Sequence, residues 1–510
     1  MGLLEVFKQL FSLFSWDVLA GLVVSTILGI VMGALPGLTA TMGIALLTGL
    51  TFSFRSDLAF VVLMGIYVGA IYGGSISAVL LNIPGTAASA GTAMDGYPLA
   101  RSGHGKEALF LTRIASFIGT IFGLFCLALF APIISGLSER YFASPEYFLL
   151  ALFGIMICGS LTSPDKPIKG WIAGCLGLMI SFVGSEEIYG YQRFTFGNSN
   201  LISGIAFIPA MIGVFGISQM MDTLKNDQSE MNIARIEGKV NFREMMRVIR
   251  TNLKTILRSG LIGVGVGSIP GVGEDVACWL SYDQAKKSSD HPEKFGTGIY
   301  EGIIACETGN NACIGGAIIP LLTLGVPGSP PAAVLLGALM LHGVRPGPML
   351  TFENPTFIYK MVAILVLCAI ALLLCGLFLS SIMVNVLKAN PKILMPIVGA
   401  LSVIGAYAIN VNRFDIRVMV IAGVIGFFLI AMGYPSAPLI LGTILGSVAD
   451  SNLRRTFLSY GVSFKPFVTR PIAALFFVLI IWTVVSQMSF YKKWQAQRKG
   501  KKRQKKEAGT

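Results

Sequence analysis

Charge is scarce in this 510-residue chain: 13% of its residues are Asp, Glu, Lys or Arg, against 54% that are apolar. With a mean hydropathy of +0.73, that shortage excludes the water-soluble classes and leaves a polytopic membrane protein. Histidine is scarce too. His104, His291 and His342 share no metal-ligand spacing with the eight cysteines, and no CxxC occurs, so neither structural zinc nor a disulfide framework is expected. Cys126, Cys158, Cys368 and Cys375 lie in apolar runs, where the thiol packs as a small hydrophobe. A Walker lysine, HExxH and GxSxG are all missing, and GVGVGSIPGVG has neither the GxGxxG spacing nor the βαβ context of a dinucleotide-binding turn. No cofactor is implied. The opening MGLLEVFKQLFSLFSWD lacks a basic leader and a small-residue cleavage site, and reads as an amphipathic helix lying in the membrane interface.

What is present is apolar sequence in windows long enough to cross a bilayer. They fall near 18–35, 39–54, 58–81, 108–134, 146–162, 168–184 and 201–221, then 259–280, 297–324, 330–343, 357–387, 392–410, 416–432, 436–449 and 471–488. Several are short or broken, so the expected fold is an all-α polytopic membrane protein of about 10 to 14 transmembrane or re-entrant helices.

Four Pro-Gly pairs interrupt these windows. Pro36-Gly37 and Pro84-Gly85 stand 48 residues apart (84 − 36); Pro270-Gly271 and Pro327-Gly328 stand 57 apart (327 − 270). GGSISAVLLNIPGTAASA, from Gly73, and GGAIIPLLTLGVPGSPPAA, from Gly315, share a Gly-Gly pair, an apolar run and a Pro-Gly followed by a small hydroxyl residue. Two halves with the same pair of broken helices point to a repeat-built secondary transporter with its binding site at the breaks.

The net charge of +13 is uneven. The tail 491–510 carries +8 and the segment 222–258 carries +3. Both adjoin apolar spans, so they read as basic segments held in the cytoplasm and in contact with membrane lipid, and nucleic-acid binding is not expected. Within 241–258 the apolar spacing predicts one amphipathic surface helix. Arg101, His104, Lys106 and Arg113 follow the first half's second break, whereas its counterpart in the second half has only Arg345 and Lys360 over a longer stretch; the first break is followed by Arg55 alone in the first half but by Lys286, Lys287 and Lys294 in the second. If basic loops stay inside, the repeats are inverted. The expected division is 1–222 and 259–490 for the repeats, 223–258 for the basic loop and 491–510 for the tail.

The chemistry-bearing residues cluster at the breaks. A helix that starts after Pro-Gly leaves backbone N–H groups and the positive end of its dipole free for an anion. Candidate substrate contacts are Pro36, Gly37, Thr39 and Thr41 at the first break, Asn82, Pro84, Gly85, Thr86 and Ser89 at the second, Pro270 and Gly271 at the third, and Pro327, Gly328 and Ser329 at the fourth, with Asn310 and Asn311. Self-capping hairpin tips are the alternative. Carboxylates in or beside apolar runs are candidates for ion coupling, and these are Asp95, Glu274, Asp275 and above all Glu307. With Asn310 and Asn311, Glu307 offers hard oxygens to Na⁺, or a protonatable group to H⁺. Because basic side chains are scarce in the spans, anion binding is expected to use helix ends more than arginine.

YGGSISAVLLNIPGTAASAGTAMDGYPLARSG in the first half, and in the second the run from SYDQAKKSSDHPEKFGTGIYEG through CETGNNACIGGAIIPLLTLGVPGSPPAAVLLGALMLHGVRPGP, resemble the large membrane subunit of the tripartite tricarboxylate transporters over nearly the whole chain. The resemblance implies a permease of the bacterial inner membrane. It would work with a small four-helix membrane subunit and a periplasmic solute-binding protein, importing a carboxylate such as citrate by an ion gradient rather than ATP. The chain departs from the family at Cys306-Glu307-Thr308-Gly309, where Pro-Glu-Ala-Ala is more usual, and at Asp275, where a small residue is usual. A membrane-embedded enzyme using Glu274, Asp275 and Glu307, and an anion channel, are the competing readings. A homo-oligomer is compatible with any of them.

Overall fold

The apolar windows fold as helices, and the positions of their breaks decide the architecture. The structure, a computed structural model, describes residues 2–35, 37–161, 167–225, 240–387 and 391–487. Pro36, residues 226–239 of the central loop and the basic tail 491–510 lie outside the described residues. The helices run α1 (Gly2–Ser12), α2 (Trp16–Ala34), α3 (Ala40–Thr51), α4 (Ser56–Leu81), α5 (Ala90–Leu99), α6 (Gly105–Tyr141), α7 (Ser144–Ile157), α8 (Pro167–Ser181), α9 (Phe207–Met211) and α10 (Ser218–Lys225). After the central loop come α11 (Phe242–Thr251), α12 (Leu253–Gly267), α13 (Gly273–Ser288), α14 (Tyr300–Leu324), α15 (Pro330–Leu341), α16 (Leu350–Glu353) and α17 (Phe357–Leu387). The chain ends with α18 (Pro391–Asn410), α19 (Arg413–Ala431), α20 (Ser436–Tyr460), α21 (Lys465–Thr469) and α22 (Pro471–Gln487). Among the described residues six helices are long and apolar enough to cross a membrane, and six more apolar helices are shorter.

Three expected spans are redrawn. The window 259–280 is two helices, because Pro270 lacks an N–H and Gly271 and Gly273 adopt φ of 76° and 77°, a conformation that only glycine takes freely. The surface helix expected over 241–258 stops at Thr251 and restarts at Leu253; the Asn252 side chain donates back to the Val248 carbonyl at 2.8 Å. The window 436–449 continues to Tyr460, since Asp450 and Arg454 pair within the helix at 3.0 Å.

The chain divides into two compact units, 1–139 with 206–431 and 140–205 with 432–510. In the second unit α20 lies against α8, where a Cβ on Gly177 would fall 1.9 Å from the Leu439 carbonyl. A small hairpin, β1 (Gly184–Ser185) with β2 (Gln192–Arg193), is tied to α20 by Arg193–Asp450 at 2.8 Å. Buried Glu146 at the start of α7 pairs with Arg470 at 2.5 Å.

The first unit repeats its own packing. A shift of 234 residues (270 − 36) relates α2 to α12, and one of 243 (327 − 84) relates α4 to α14. A Cβ on Gly29 would meet the Ile66 carbonyl and one on Gly33 the Ala70 carbonyl; the equivalent Gly263 and Gly267 would meet those of Gly309 and Cys313. Likewise Gly73 abuts Ile30 where Gly316 abuts Val264, and Gly85 abuts the Gly33 carbonyl where Gly328 abuts that of Gly267. Side-chain-free contacts at matching registers let the backbones approach closely, as helices in membranes favour.

This packing makes opposed hairpins. Gly21 touches Leu58, Gly29 touches Ile66 and Gly33 touches Ala70, so α2 and α4 run parallel and α3 must return the chain to its starting end. Asp17 and Arg55 pair at 2.5 Å across that end. From the far end of α4 the segment 82–89 doubles back, with Gly85 N–H bonded to the Gly74 carbonyl at 3.3 Å. The tips of both hairpins thus meet beside residues 70–74 of α4. The second repeat builds the same pair beside residues 313–317 of α14, where Gly271 N–H also donates to the Pro327 carbonyl at 3.3 Å. The nine extra residues between its breaks (57 − 48) lengthen α13 and the link 289–299.

Candidate functional site

Polar side chains inside this apolar unit collect at the level of the hairpin tips. Glu307, on α14, is fully buried, as are Ser75, Thr92, Ser116, Asn310 and Asn311. Its Oε1 accepts from Ser75 Oγ at 2.6 Å and from Thr92 Oγ1, and its Oε2 accepts from Ser116 Oγ at 2.9 Å. The three hydroxyls come from α4, α5 and α6 of the first repeat and the carboxylate from the second, so the cluster spans the junction between repeats. Asn311 donates to the Glu307 carbonyl at 3.0 Å and to Asn310 Oδ1 at 2.8 Å, which orients the amide pair. Among the described residues no Lys, Arg or His lies within ion-pair distance of Glu307.

Equivalent positions of the two long helices then grip the tips of the opposite repeat. Asn310 donates to the Ala88 carbonyl at 2.8 Å, just past the break at Pro84-Gly85. Its counterpart Tyr67 (67 + 243 = 310) bonds Ser329 Oγ at 2.8 Å and donates to Glu274, and so holds both tips of the second repeat. All of these groups except Ala88 reach their partners through buried side chains.

The remaining candidates separate by environment. Thr39 and Ser329 act as N-caps, accepting from Met42 N at 3.2 Å and Ala332 N at 3.3 Å, so their hydroxyls serve their own helices. Ser89 donates to the Thr86 carbonyl at 2.8 Å, while Thr86 Oγ1 is buried without a partner among the described residues. Thr41 is buried near the start of α3. Gly37 has φ of 92° and Asn82 turns the end of α4 with φ of 57°; Asn82 and Asp275 are exposed. Asp95 is fully buried but occupied. Its Oδ1 accepts from the N–H groups of Gly296, Gly298 and Ile299 at 2.8, 2.9 and 3.1 Å and its Oδ2 from Tyr282 at 2.9 Å, which fastens the link that precedes α14.

Sequence reasoning missed Tyr67, Tyr72, Ser75, Arg113 and Ser116. Counting charge after the second break groups Arg113 with Arg101, His104 and Lys106, although the apolar window 108–134 encloses it. It lies instead two turns inside α6, buried against Tyr72 and Gly376. The available signal was helical spacing: Tyr72 and Ser75, like Arg113 and Ser116, are three residues apart and share a helix face. No group of three or more His, Cys, Asp or Glu converges among the described residues.

Comparison with known proteins gives this architecture a family. The model of the tripartite tricarboxylate transporter TctA family matches residues 19–441, which include every break and the whole Glu307 cluster. The chain is 36% identical over 452 residues to an uncharacterised 52.8 kDa protein in the TAR-I ttuC′ 3′ region of Agrobacterium vitis, covering 88% of this chain and 89% of that one. It is also 36% identical over 209 residues to an uncharacterised protein in the TAR-II ttuC′ 3′ region of the same organism, covering 41% of this chain and 86% of that one. No solved structure matches. A multi-pass membrane protein whose family model extends through both sets of hairpins, this chain belongs to the tripartite tricarboxylate transporter TctA family.

Proposed function

We propose that this chain is the large permease subunit of a binding-protein-dependent secondary transporter whose import of a carboxylate, of which citrate is the type case, is driven by an Na⁺ or H⁺ gradient. The observation that carries the reading is the Glu307 cluster. A carboxylate buried with three hydroxyl donors and no cationic partner is costly in its charged form unless a cation or proton joins it. The set is all oxygen: a carboxylate, three hydroxyls and the amide oxygens of Asn310 and Asn311, a suitable donor set for a small hard cation. Binding and release of that ion change the charge where the two repeats meet, which favours a coupling role.

The substrate side rests on the tips. Helix starts at Ala40, Ala90, Gly273 and Pro330 follow the four breaks, and their dipoles favour an anion near the levels of Ala70–Gly74 and Cys313–Ala317. The repeats are inverted in this reading, in the bacterial inner membrane, with the central basic loop and the tail cytoplasmic. A small four-helix membrane subunit and a periplasmic solute-binding protein complete the system, as the tripartite family implies. An enzyme is disfavoured because the family whose model matches this chain is a family of transporters. The opposed hairpins suit alternating access better than a continuous pore.

The test is reconstitution of this chain with its small subunit in proteoliposomes, with the cognate binding protein added outside. Accumulation of labelled carboxylate under an imposed Na⁺ or H⁺ gradient is expected. Chemical turnover without accumulation, or flux indifferent to both gradients, would contradict the reading.

A further inference from the structure

One turn from the Glu307 cluster lies a buried positive charge that no carboxylate among the described residues neutralises. Arg113 is 7% exposed. Its guanidinium lies over the Phe110 ring at 5.4 Å and reaches the Gly376 carbonyl only at 3.4 Å. Its Nε has no partner, and no carboxylate stands within ion-pair distance among the described residues. Beside it the Tyr72 hydroxyl, 0% exposed, has no partner among the described residues either. The two side chains share the space left by one glycine: a Cβ on Gly376 would fall 2.9 Å from the Tyr72 ring and 3.1 Å from Arg113 Cδ.

The internal repeat shows that this arrangement is not required by packing. Tyr72 corresponds to Gly315 (72 + 243). There the long helix meets α6 glycine to glycine, a Cβ on Gly315 falling 2.3 Å from the Gly123 backbone. One interface is closed backbone against backbone; the other holds a phenol and a guanidinium with donors unspent. Buried donors left without acceptors are costly.

We propose that Arg113 and Tyr72 form a carboxylate-binding subsite for the transported anion, an inference that rests on the transport reading above. An arginine Nε–H with its neighbouring N–H forms a planar fork that matches the two oxygens of a carboxylate, and the tyrosine O–H supplies a further donor. Ser75 and Ser116 lie one turn along α4 and α6 from Tyr72 and Arg113, so the bound carboxylate would stand next to Glu307. Two negative charges at that separation repel each other. Occupation of Glu307 by a cation or proton therefore strengthens anion binding at Arg113, and the anion strengthens ion binding in return.

Citrate, malate and succinate, each radiolabelled, serve as probes for the reconstituted complex, and whichever the parent accumulates is used on Arg113→Lys and Tyr72→Phe. The first keeps the charge but loses the fork; the second keeps the ring but loses the donor. Each is expected to raise KM about tenfold or more, the loss of a hydrogen bond to a charged group, with melting temperature and subunit association unchanged. Direct titration of the same probe against purified complex should show a matching fall in affinity. KM and affinity within twofold of the parent in both variants, or a fall in Vmax alone, overturns the subsite while leaving the transport reading intact. A parent that accumulates none of the three probes overturns the transport reading, and the subsite with it.

Discussion

Two carboxylates, Glu307 and Asp95, are both fully buried in the first unit and behave oppositely. Asp95 is fixed by three main-chain N–H groups and one phenol; Glu307 is met by three hydroxyls, each able to rotate its proton away or present a lone pair. The first is a fastener and the second is free to exchange partners. Replacing Asp95 by alanine should strand those donors and destabilise the 289–299 link by at least about 2 kcal/mol. The change would be read as faster tryptic cleavage after exposed Lys294, with Asp95→Asn intermediate. Unchanged cleavage in Asp95→Ala would remove the carboxylate from that role. From sequence, Glu307 was legible because a charge inside an apolar run demands an explanation. Its partners were not, since Ser75 and Ser116 lie 232 and 191 residues away and a serine in a membrane helix commonly bonds its own backbone.

For helices, what counts is which face carries no side chain. On α12, Gly263 and Gly267 touch the α14 backbone at 2.2 and 2.5 Å from an added Cβ, while Gly265 between them meets nothing within 4 Å. Alanine at 263 or 267 should therefore cost about 1–3 kcal/mol by overpacking, whereas Gly265→Ala should be neutral or slightly stabilising. Thermal melting of the purified protein separates the three; equal effects would contradict the parallel packing of α12 on α14. The Pro-Gly breaks were readable because proline and glycine announce helix interruption from one residue each. The reciprocal grips of Tyr67 and Asn310 were not, because equivalent positions bear different residues and only the register of the folded helices reveals their equivalence.

At the scale of the molecule, matching registers in α2–α6 and α12–α17 describe two copies of one hairpin-helix-hairpin design. The charge asymmetry that suggested inversion is a property of short links, the kind of signal sequence carries well. In an inverted arrangement the link 52–55 and its counterpart 289–299 lie on opposite faces of the membrane. Single cysteines at Phe54 and Asp290, both exposed, should then be labelled by an impermeant maleimide from opposite sides of oriented vesicles. The native background is low because seven of the eight cysteines are buried. Labelling of both from one side would show the repeats to be parallel. The coupling role of Glu307 is tested most directly by comparing gradient-driven accumulation with carboxylate exchange in Glu307→Gln. The account predicts that exchange persists while accumulation against a gradient disappears. Accumulation by the variant at the parent's rate, with the parent's ion dependence, would contradict it.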